Sequence, residues 1–143
     1  MENFETETTE NSDEFAQDEF DRILKAARVK WDKYCLFSGQ KDAESEKELI
    51  IDAIKEGVIT VSDEGFPTVH TEHQNKQLSK ISIVRRPVRG DKLAMDRVKD
   101  GHMVSKEDSI LGKFLGISPA ALQQLEERDY SLISTLWYLF LGY

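Results

Sequence analysis

"GVITVSDEGFPTVHT", residues 57–71, decides between an all-helical chain and a mixed one. Residues 58–61 are rich in β-branched side chains. Residues 62–65 supply turn chemistry, with Gly65 free to take a positive φ, and residues 66–71 return in extended form. The stretch therefore predicts a β-hairpin. Pro67 has no N–H to give to a ladder, so it belongs on an edge strand or at the start of its strand. Further on, "KISIVRRPVRGD" (80–91) opens with Ile81 and Ile83 at period two, a third strand of a small antiparallel sheet. Arg86 stands before Pro87 and favours extended backbone, so the strand ends there and "VRGD" leads into a helix capped by Asp91. Arg85, Pro87 and Asp91 are expected to form a structural corner between strand and helix.

Helical signals flank this centre on both sides. From Asn11, with Glu14 placed as in a capping box, apolar positions recur at Ala16, Phe20, Ile23, Leu24, Ala27, Trp31, Tyr34 and Cys35, while Asp18, Asp21, Arg22, Lys25, Asp32 and Lys33 fall on the other face. That predicts one long amphipathic helix, broken at Ser38 and Gly39. A second helix is expected from Ser45, with Glu48 as its capping partner, to a left-handed cap at Gly57. Beyond the sheet, four short helices are expected: "DKLAMDRVKDG" (91–101), "SKEDSILGKFLG" (105–116) with Ser105 and Asp108 as cap signals, "SPAALQQLEER" (118–128) with Ser118 as cap and Pro119 in the first turn, and "DYSLISTLWYLFLGY" (129–143) started by Asp129. The fold class is thus α+β and mostly helical. Residues 1–10 lack apolar periodicity and are expected to be a disordered acidic tail, 11–56 a helical region, and 57–143 a domain built on the hairpin.

The last helix is unusual. Ser131, Ser134, Thr135 and Tyr138 make one narrow polar edge, and Leu132, Ile133, Leu136, Trp137, Leu139, Phe140 and Leu141 cover the rest. It is too short to span a bilayer, so it either lies at the centre of a core or offers apolar surface to a partner. Leu132, Leu136 and Leu139 are expected to face inward, and Trp137 and Phe140 to reach outward. The candidate partner-binding residues are Leu132, Leu136, Trp137 and Phe140.

The order of these features resembles the phage tail assembly chaperones encoded beside the tube and tape-measure genes of contractile-tailed, Mu-like phages. The resemblance is carried by "GVITVSDEGFPTVHT", the extended "ISIVRRP", "GDKLAMD", "FLGISPAALQQL" and "DYSLISTLWYLFL", roughly residues 57–140. It implies a non-enzymatic protein that holds aggregation-prone segments of the tape-measure protein, and tail tube subunits, during tail morphogenesis. Residues 1–56 have no counterpart in it.

Composition agrees with a binding role and excludes several others. A chain of 143 residues with 39% hydrophobic content suits one compact core, and an acidic N-terminus with no long apolar run is unlike a secretory signal or a membrane span, so cytoplasmic placement is expected. Residues 1–21 carry nine carboxylates and no Lys or Arg, whereas 76–99 carry eight basic groups against Asp91 and Asp96, in a chain of net charge -8. The simplest account of both is solvated faces.

A helix-turn-helix over residues 109–128 is the strongest competing motif, with Leu111, Leu115, Ile117 and Leu122 suitably spaced. Its second helix offers one Arg against two Glu, so it lacks the cationic footprint that phosphate binding demands, and nucleic acid is not expected as a partner. His70 and His73 stand three apart with neither Cys35 nor His102 fixed near them, no nucleophile is set beside a base, and no phosphate-binding loop is present. No catalytic, metal or cofactor residue is assigned. Cys35 reads as a small buried hydrophobe. Self-association is left open.

Overall fold

The computed structural model describes residues 2–88 and 110–141. The order of elements is α1 (Glu2–Ala27), α2 (Trp31–Ser38), α3 (Gln40–Lys55), β1 (Ile59–Val61), β2 (Pro67–His70), α4 (Lys76–Ser79) and β3 (Lys80–Ser82), then α5 (residues 110–115), α6 (Pro119–Leu122) and α7 (Glu127–Phe140). This is the mostly helical α+β fold that the sequence predicts. The helix expected over 91–101, its cap Asp91, the cap signals Ser105 and Asp108, and His102 lie outside the described residues.

The sheet is antiparallel in the order β1-β2-β3, with Ile59 opposite Val69 and Val69 opposite Ile81. That register puts Ile59, Val69 and Ile81 in one buried row, and Thr60, Thr68 and Ser82 in a row on the opposite face. The hydroxyls of the second row pair across strands, Thr68 with Ser82 at 2.8 Å and Thr60 with His70 Nε2 at 2.8 Å. Pro67 begins the central strand. Its carbonyl accepts from Ile83 N at 3.0 Å, but it has no N–H to return, so the β2–β3 ladder stops there.

Helices α1, α3 and α7 pack against one another and against the apolar face of the sheet, so helices and sheet form two layers around one core. Ala16, Phe20, Ile23 and Ala27 of α1 share that core with Ile54 and Ile59 on either side of position 57, and with Leu132, Leu136 and Leu139. The N-terminal helix is therefore part of the fold over its described face.

Three helices end in the same way. At α3, Gly57 takes φ 78 while Gly57 N bonds Ile54 O at 3.1 Å and Val58 N bonds Ala53 O at 2.9 Å, the paired bonds of a Schellman cap. Gly116, at φ 74, closes α5 with Ile117 N on Gly112 O at 2.8 Å. At α1 the same pair runs from Arg28 N to Lys25 O and from Val29 N to Leu24 O, but the left-handed residue is Arg28, at φ 59.

This cap divides the single long helix expected from the sequence. Helix α1 also begins at Glu2, not Asn11. The helix expected from Ser45 starts five residues earlier, at Gln40, and Ser45 Oγ donates to Lys41 O within it at 3.1 Å. Around the break, Phe20 meets Trp31 edge-on at 5.6 Å and Trp31 stacks on Tyr34 at 5.5 Å, with Lys47 Nζ above both the Phe20 and Trp31 rings. The buried Tyr34 hydroxyl donates to Glu46, and burial together with that carboxylate pushes the phenol well above its ordinary range.

Candidate partner-binding surface

Helix α7 starts at Glu127, two residues ahead of the expected start at Asp129, with Glu126 in the N-cap position making no side-chain cap bond and Asp129 in the first turn. It packs against α1, α3 and β2, and its apolar positions from Leu132 to Phe140 are all buried. Beyond its charged first turn, only the narrow edge of Ser131, Ser134, Thr135 and Tyr138 reaches solvent. The outward role expected for Trp137 and Phe140 does not match this arrangement. They are 6% and 3% exposed, and Leu132 and Leu136 are 0% and 1% exposed. The physical reason is the two-layer packing, which closes over the helix from both sides. Phe140 stacks on Phe66 of the hairpin at 5.9 Å, and Trp137 lies against Phe114 of α5 at 4.5 Å. All four proposed anchors are core residues.

The corner residues fare differently. The Arg85 guanidinium lies over the Phe114 ring at 4.7 Å, so the chain leaving β3 is stacked on the same aromatic pair that fixes α7. Arg85 also donates to Arg86 O at 3.2 Å, and Arg86 and Pro87 are half-buried. Arg85 thus holds the exit of the sheet in place, while Asp91 lies outside the described residues.

What remains open on this side is apolar and basic. Val84 is 72% exposed and Val88 59% exposed, and Val84 helps line a groove of about 250 Å³ with Ser62, Glu64, Phe66, Thr68, Ser82 and Ile83. Exposed valines on either side of Arg85 and Arg86, on the segment that leaves β3, form the most distinctive described surface. The sequence signal that could have found it is the alternation of "KISIV": Ile81 and Ile83 take the inner face, so Val84 must look elsewhere.

The other candidates give less. His70 lines a cleft of about 140 Å³ whose walls include Glu72, Glu126, Arg128 and Asp129, and His73 is not part of its lining. Asp129 is held above the usual carboxylate range by partial burial and then by Glu126. Arg128 turns away to pair with Glu56 of α3. His73 Nδ1 accepts from Asn75 N at 3.0 Å, a turn contact. Among the described residues no group of three or more His, Cys, Asp and Glu side chains could hold a metal ion. Cys35 is buried, and burial raises its thiol, which makes it a poor nucleophile.

The helix-turn-helix segment is present as α5, the Gly116 turn and α6, with Ser118 Oγ accepting from Ala121 N at 3.2 Å. Helix α6 ends at Leu122, a single turn, and leaves Gln123 and Gln124 beyond it. Leu111, Ile117 and Leu122 are all buried. Among the described residues no helix is long and apolar enough to cross a membrane. No protein-family model, curated protein or solved structure matches the chain.

Proposed function

We propose that this is a non-enzymatic binding protein of phage or prophage tail morphogenesis, a tail assembly chaperone that holds the tape-measure protein, and tail tube subunits, in the bacterial cytoplasm. The resemblance over residues 57–140 supports this reading, and the observation that carries it is the surface at the exit of β3. There Val84 and Val88 stand exposed on the segment that leaves β3, which is held to the core by the Arg85 guanidinium on Phe114. A rigid support under an exposed apolar pair favours binding, because little ordering entropy remains to be lost on association. The partner contact moves from Trp137 and Phe140 to this segment leaving β3.

Co-expression with a fragment of the tape-measure protein tests it. The fragment should stay soluble and co-elute with the chain on size exclusion. Equal precipitation with and without the chain, and no complex, would remove the chaperone reading. DNA binding is the weaker alternative, since a one-turn α6 is too short to lie along a groove and present base contacts.

A further inference from the structure

The bonds from Ile83 N to Pro67 O and from Thr71 N to Ser79 O fix which way β3 faces. In an antiparallel pair the residues between such bonded positions point their N–H and C=O away from the neighbouring strand. Ser82, which stands opposite Thr68 between them, therefore turns its backbone groups to the open edge, and by the same alternation the N–H of Val84 follows it, one residue past the last bonded position, Ile83. Among the described residues no strand pairs with that edge. Edge groups of this kind are a template for an added strand.

The same edge is marked by charge. Lys80 lies on β3 and Arg86 on the segment that leaves it, the described stretch 74–88 holds no carboxylate, and the one acidic group in the adjoining groove is Glu64 from the hairpin turn. A second copy of β3 would bring like charges together, so self-pairing is disfavoured. An acidic segment would be drawn in.

We propose that the outer edge of β3 at Ser82 and Val84 takes an extended acidic segment of the partner polypeptide, added as a fourth strand. Its backbone pairs with Ser82, an apolar side chain enters the groove between Phe66 and Val84, and its carboxylates face Lys80 and Arg86. This rests on the tape-measure reading for the identity of the partner, and adds where and in what conformation it is held.

The test uses the full chain and the tape-measure fragment, with amide hydrogen exchange read by NMR. On complex formation the Ser82 and Val84 amides should slow at least tenfold. Val84→Pro removes an outward N–H without touching the β2 ladder, so it should melt like the parent yet bind about tenfold more weakly. Lys80→Glu should weaken binding by a similar factor, and more so at low salt. If a complex forms while both amides exchange as before, or if both variants bind like the parent, strand addition is wrong and the chaperone reading stands. If the parent binds no fragment, the chaperone reading fails and takes this occupant with it.

Discussion

Three glycines separate the cost of backbone conformation from the cost of contact, and Gly65 bears both. It holds φ 95 in the hairpin turn, and a Cβ placed there would lie 2.4 Å from Arg22 O and 2.9 Å from Ala26 Cβ, both on α1. The turn is bonded to the same stretch of helix, since Arg22 donates to Ser62 O at 2.5 Å and pairs with the buried Glu19 at 2.6 Å. Alanine at 65 must take a left-handed conformation, at about 1–2 kcal/mol, and push the hairpin off α1, an overpacking cost of about 1–3 kcal/mol. Gly57→Ala meets only the first cost, because at φ 78 nothing lies within 4 Å of its new methyl. Gly112→Ala meets only the second: its Cβ would sit 2.4 Å from Ile117 O, at no positive φ, and alanine's helix preference returns about 1 kcal/mol. The expected order of loss is thus Gly65→Ala well ahead of the other two. For a chain of this size each kcal/mol moves the melting temperature by roughly 3–5 °C, so Gly65→Ala, at about 2–5 kcal/mol in total, should melt roughly 6–25 °C below the parent. Circular dichroism melts with parallel urea titrations measure it. If Gly65→Ala melts within two or three degrees of Gly57→Ala, the close seat of the hairpin on α1 is wrong.

Other expectations are simpler. Trp137→Ala and Phe140→Ala should each cost about 3–5 kcal/mol and leave a largely unfolded chain, because both rings are core; folded variants that lose only partner binding would restore the interface role. Arg28→Gly should raise stability by about 1 kcal/mol, since the residue is exposed and sits at φ 59 where glycine carries no steric penalty; an unchanged urea midpoint would count against it. The Tyr34 phenol is raised by burial and Glu46, so the unfolded chain gives up that proton first, near the ordinary tyrosine value of about 10, and stability should fall as pH climbs past it. Tyr34→Phe should flatten that alkaline loss in melts run from pH 8 to 11. A mobility-shift titration with duplex DNA should show no retardation at physiological salt, and a salt-sensitive shift would revive the DNA reading.

Much of this architecture was legible because local chemistry and tertiary demand agreed. The hairpin, the positive φ at Gly65 and Gly57, the Ser118–Pro119 start and the polar edge of α7 all rest on residues whose own preferences match the conformation they adopt. The break at Arg28 was not legible, since arginine carries no signal for left-handed backbone and the apolar stripe runs through the break into Trp31 and Tyr34. Ser45 misplaced the start of α3 because a serine four residues after Lys41 can bond back into its own helix as readily as cap one. The site was read least well. A helix apolar on nearly every side looks the same whether it is meant for a core or a partner, and only the layers on both sides of α7 tell them apart. Arg85 on Phe114 joins residues 29 apart in sequence, a pairing without any local mark.

The central place of α7 has a consequence for how the chain is made. Helices α1 and α3 and the hairpin leave the ribosome before the helix that fills the space between them, so Phe20, Ile54 and Ile59 have no complete core until Phe140 has been added. Folding is then held back until synthesis passes that point, and any pause upstream leaves apolar surface open to other nascent chains. A protein proposed to shield its partner from aggregation would itself pass through a moment of the same exposure, and translation arrested between residues 71 and 127 should yield insoluble or protease-sensitive fragments.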